Sequence, residues 1–121
     1  MTRAAYAHEA VVVLDPGGDS RAPGGAITAA LCGHWDHDPP CPLAPHHTEA
    51  TPEGDETVRV RILFAAEPDD EGRVRSLIEQ ALSSGRLTGP DDHVTRWMLE
   101  SSSTSPIRPD ESDHAARLVA S

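Results

Sequence analysis

Between Thr57 and Ala66 the side chains alternate: Val58, Val60, Ile62 and Phe64 fall on one side of an extended chain, Arg59 and Arg61 on the other. A period of two marks a strand of an antiparallel sheet with one buried and one wet face. The period then changes. After Glu67-Pro68-Asp69-Asp70-Glu71, residues Val74, Leu77, Ile78, Ala81 and Leu82 recur at helical spacing and Gly85 follows. Acidic residues and a proline suit the first turn of a helix, and a glycine suits its end.

Elsewhere the pattern is weaker. Ala10 to Asp15 is a β-branched run closed by the turn Asp15-Pro16-Gly17-Gly18. Ala26 to Cys32 is short and preceded by glycines; it reads as a strand, with Ile27, Ala29 and Leu31 opposite Thr28, Ala30 and Cys32. His93 to Ser101 reads as another, with Thr95, Trp97 and Leu99 on one face. Residues 101–109 read as a flexible linker. Asp110 to Ala120 reads as a short helix carrying Ala115, Leu118 and Val119. Residues 35–57 hold five prolines and no periodicity. They predict a long loop that something must order. The expected fold is a single α+β domain over 1–121. It has a small antiparallel sheet of about four strands, with the main helix and the short C-terminal helix packed on one face, plus a long metal-ordered loop.

Composition narrows the function. All ten basic residues are arginine, set against 20 acidic residues, for a net charge of −10. No basic face is available to meet phosphates, so nucleic-acid binding is disfavoured, and a protein partner suits the charge better. The longest aliphatic run, Ala10 to Leu14, is far too short to span a membrane, and no signal peptide is evident; the expected compartment is the cytoplasm. Thiols stay reduced there, so cysteines are read as ligands or as plain side chains.

The ligands gather in one place. Cys32, His34, His37, Cys41, His46 and His47 fall within sixteen residues, interspersed with prolines and with Asp36 and Asp38. Thiolate and imidazole are the donors that zinc prefers, and four close a tetrahedral shell. The prolines stiffen the loop and reduce the entropy lost when the donors converge. The expected shell is Cys32 and Cys41, one of His34 and His37, and one of His46 and His47, since adjacent histidines point apart. Asp36 and Asp38 would orient an imidazole from behind. Copper and nickel suit the same donors.

Two thiolates in a full shell favour a structural site in a non-enzymatic binding or accessory module. A rival is a metal-dependent hydrolase or lyase with an open zinc position. Another is a metal-free acidic inhibitor or immunity-type protein steered by its charge. Buried cysteines beside solvated histidines, or a Cys32–Cys41 disulfide in an exported protein, are the plainer readings of the same residues. The remaining candidates look structural. Gly17-Gly18 and Gly24-Gly25 lack the context of a phosphate loop, Ser83 and Ser84 have no nearby base, Trp97 suits the core, and His8, His93 and His114 suit the surface.

Overall fold

A computed structural model describes residues 3–32, 44–89 and 92–120, and the backbone alone of Cys32. The strands are β1 (Ala4–Leu14), β2 (His46–Pro52), β3 (Thr57–Ala66), β4 (Arg86–Thr88) and β5 (Val94–Ser105); the helices are α1 (Ala22–Cys32), α2 (Glu71–Ser84) and α3 (Ser112–Ala120). The sheet order is β2-β3-β1-β5-β4, with every neighbouring pair antiparallel. β1 and β2 therefore run parallel with β3 between them, and β3 and β5 run parallel with β1 between them. This is the split β-α-β connectivity of ferredoxin-like sandwiches, extended by the short edge strand β4.

Alternation fixes which face is buried. Ala10, Val12 and Leu14 of β1 join Val58, Val60, Ile62 and Phe64 of β3 against Ile27 and Leu31 of α1 and Val74, Ile78 and Leu82 of α2. Trp97 completes this core, and its indole N–H donates to the Leu82 carbonyl at 2.8 Å. Burying so many branched side chains supplies the driving force for a chain with one Phe.

The segment expected as a strand at 26–32 is the second half of helix α1. Its propensity is poor, with Pro23, Gly24 and Gly25 in the first turn, but tertiary packing overrides propensity. Ala22, Ala26, Ile27 and Leu31 are all buried; the neighbours Ala26 and Ile27 share one face of a helix, whereas in a strand they would point to opposite faces. The glycines let it approach closely: a Cβ on Gly24 would lie 2.7 Å from Thr48 Oγ1, and one on Gly25 would lie 2.8 Å from Leu87 Cδ2. Thr48 and Leu87 sit on opposite edge strands, β2 and β4. In a flat sheet those edges are roughly 19 Å apart, while a helix is about 10–12 Å across. Touching both, α1 requires that the sheet curl around it.

Three further expectations change. The loop expected over 35–57 includes β2, whose apolar alternation is too weak to read. The serine-rich run after Ser101 continues β5 to Ser105, past a bulge that leaves Glu100 unpaired between Leu99 and Ser101. Finally, α3 does not share a face with α2. It packs on the reverse of the sheet against β1 and β3, where Ala7, Leu63, Ala65 and Ala115 are buried apart from the main core. Among the described residues no helix is long and apolar enough to cross a membrane.

Candidate functional site

Helix α1 ends at Cys32, and the chain is next described at Ala44, just before β2. His34, Asp36, His37, Asp38 and Cys41 lie outside the described residues, as does the Cys32 side chain. The last two candidate ligands, His46 and His47, open β2 and so project to opposite faces of the sheet.

His46 turns toward α1. Its Nδ1 lies 3.1 Å from the Ala44 carbonyl and its Nε2 lies 2.9 Å from Thr28 Oγ1. A carbonyl only accepts, so Nδ1 carries the proton and Nε2 accepts from the threonine hydroxyl. Nε2 thereby ties β2 to the helix, while Nδ1 holds the turn that leads into β2. His47 faces the other way and meets His114 of α3, with ring centroids 4.5 Å apart. Burial, then the neighbouring His47 and Arg117, hold the His114 imidazole below its ordinary pKa. His114 is thus half-buried packing rather than the free surface residue expected.

Below this imidazole pair is a cavity of about 280 Å³ built on the reverse face of β1, β2 and β3. Its floor is an ion-pair network around Arg61, itself 8% exposed. Nε and Nη2 of Arg61 grip Glu111 at 2.6 and 2.7 Å, Nη1 donates to Glu9 at 2.8 Å and to Ser105 Oγ at 2.9 Å, and Nη2 also donates to the Pro106 carbonyl at 2.8 Å. All five N–H groups are used, so nothing remains for a substrate. Glu9 is shared with Arg59 and, at 3.5 Å, with Arg108. The Arg61 guanidinium, helped by the Arg108 backbone N–H, lowers the Glu111 pKa to about 2. Against the cost of burial, Arg59 and Arg61 lower that of Glu9.

A second polar cluster lies inside the main sandwich. His8, expected on the surface, is 1% exposed. Its Nε2 is 2.7 Å from Ser102 Oγ, a pairing that suggests a hydrolase's nucleophile and base. The other nitrogen excludes that reading. Arg75 Nη1 lies 3.0 Å from Nδ1 and donates to the Ala7 carbonyl at 2.8 Å. Arginine only donates, so Nδ1 accepts and Nε2 carries the proton. His8 therefore donates to Ser102, whose hydroxyl points on toward Glu79 at 3.5 Å. The serine receives a hydrogen bond where a nucleophile would surrender a proton. Burial, then Arg75, holds His8 below the usual histidine range, against a smaller opposing pull from Glu79. The Arg75 guanidinium also caps the Tyr6 and Phe64 rings at 5.7 and 5.3 Å.

A third feature is an open cleft of about 540 Å³ between α1 and the β4–β5 hairpin, lined by Ala22, Gly25, Thr28, Leu87 and Thr95, with Arg21 and His93 at its rim. His93 is exposed, as expected for a turn residue.

Among the described residues no group of three or more His, Cys, Asp or Glu side chains is arranged to hold a metal ion. No family model, no curated protein and no solved structure matches the chain. The ion network of Glu9, Arg61 and Glu111 and the buried His8 were missed by sequence reasoning. For His8 a signal exists: it continues the even-numbered face of Ala10, Val12 and Leu14 back along β1. For the ion network there is none, because its members are up to 102 positions apart.

Proposed function

We propose that the chain is a small zinc-binding module whose metal serves structure, and that it acts by binding a partner rather than by catalysis. One observation carries this reading. His46 and His47 are engaged on opposite faces of the sheet, His46 with Thr28 and Ala44 and His47 with His114. We take the shell to be the other four donors clustered in the sequence, Cys32, His34, His37 and Cys41, the number that a closed tetrahedral shell requires. A shell closed by protein donors leaves no coordination position for a reacting water. The non-catalytic reading gains support from the two buried polar clusters. Arg61 has spent every donor, and the His8–Ser102 pair is polarised away from nucleophilic attack.

Elemental analysis of protein purified without a histidine tag tests the proposal. One equivalent of zinc is expected in the wild type and in His46→Ala and His47→Ala, and none in Cys32→Ser or Cys41→Ser. Metal retained by both serine variants, or absent from the wild type after growth in zinc-supplemented medium, would overturn it.

A further inference from the structure

Among the described residues, the main-chain groups on the outer side of edge strand β4 beside the cleft have no partner. Trp97 N–H donates to the Gly85 carbonyl at 2.9 Å and Gly89 N–H to the His93 carbonyl at 2.8 Å. With Arg86 opposite Arg96, Leu87 opposite Thr95 and Thr88 opposite Val94, the hydrogen-bonded positions of this antiparallel pair are 85, 87 and 89. The N–H and C=O groups of Arg86 and Thr88 therefore point away from β5, to the open side of the sheet. Leu87 turns its side chain toward Gly25 of α1. The cleft thus has a helix for one wall and an unpaired strand edge for the other, a geometry that accepts an extended peptide by strand addition.

Charge identifies the peptide. Arg86 and Arg96 face each other in a non-hydrogen-bonded pair, where side chains come closest and like charges are unfavourable. In a chain with two acidic residues for every arginine, neither has an ion-pair partner among the described residues. Both are exposed on the face opposite Leu87. We propose that β4 and α1 bind an extended peptide of alternating apolar and acidic residues as a sixth strand. Its apolar side chains enter the cleft against Leu87 and Gly25, and its carboxylates on the other face meet Arg86 and Arg96. The proposal is independent of the metal reading.

The test uses the full-length, isotope-labelled chain and a synthetic peptide alternating valine with glutamate, compared with one alternating valine with lysine. The glutamate peptide should shift the amide signals of Arg86 and Thr88 and slow their hydrogen exchange. The lysine peptide should bind roughly tenfold more weakly or not at all, and Arg96→Glu should reverse that order. Thr88→Pro removes an N–H that makes no ladder bond, at an edge position that tolerates proline. It should leave the melting temperature within a few degrees of wild type and weaken glutamate-peptide binding roughly tenfold. Equal binding of the two peptides, undiminished binding by a folded Thr88→Pro, shifts confined to another surface, or no binding at millimolar peptide would each overturn the proposal.

Discussion

Arg61 has five N–H groups and five acceptors, two of them on Glu111. Removing such a hub leaves the half-buried Glu111 without its counter-charge and Glu9 with only Arg59 and Arg108. Arg61→Ala is expected to cost about 3–5 kcal/mol in urea unfolding. Lysine should recover only part of that, because a point charge cannot grip Glu111 with two parallel bonds. A loss under 1 kcal/mol would mean that the network is ornamental. His8 makes a pH prediction. Its folded pKa lies below 6.5, so between that value and 6.5 the unfolded chain binds more protons. Its contribution to stability is complete above that window and is lost as pH falls through it. Unfolding free energies measured from pH 7.5 downward should decline less steeply in His8→Gln, with His114, shifted in the same direction, supplying a remaining slope. Identical slopes for variant and wild type would contradict the neutral, Arg75-facing imidazole. These residues show how far a sequence speaks at this scale. The alternation along β1 was sufficient to bury His8, had it been followed back past Ala10. Nothing local pairs Arg61 with Glu111.

At the scale of elements, legibility followed the strength of the period. The β3–α2 unit was readable because its apolar positions repeat cleanly at two and then at 3.6. Its stop is equally clear: Gly85 adopts φ 69°, and a Cβ there would lie 2.7 Å from the Trp97 carbonyl. Gly85→Ala should therefore destabilise by about 1–3 kcal/mol and shift the indole environment of Trp97, which near-ultraviolet circular dichroism would record. An unchanged melting curve would show that α2 ends without needing the left-handed turn. Helix α1 was misread for the complementary reason. Gly24 and Gly25 are poor helix formers, retained where the helix backbone closes on Thr48 and Leu87, and the benefit lies in tertiary contacts that no window of sequence displays. Strand β2 is similar: with His46, Thr48 and Ala50 only half-buried, its alternation is too faint to detect.

For the molecule as a whole, a curled five-stranded sheet is wrapped around α1 on one side and pinned by α3 and the Arg61 network on the other. Which face α3 takes is decided by pairings 50 or more residues apart, so a sequence reading that put all helices together had no means of choosing. The gathering of thiolates and imidazoles between α1 and β2 was legible from composition alone, whereas the separate commitments of His46 and His47 needed the fold. Together they define the central claim, a closed shell made by Cys32, His34, His37 and Cys41. X-ray absorption at the zinc edge of the untagged protein tests it most directly. The account predicts two sulfur and two imidazole-nitrogen scatterers at tetrahedral distances, unchanged in His46→Ala and His47→Ala. A shell containing a water oxygen, or one that loses a nitrogen when His46 or His47 is replaced, would contradict it.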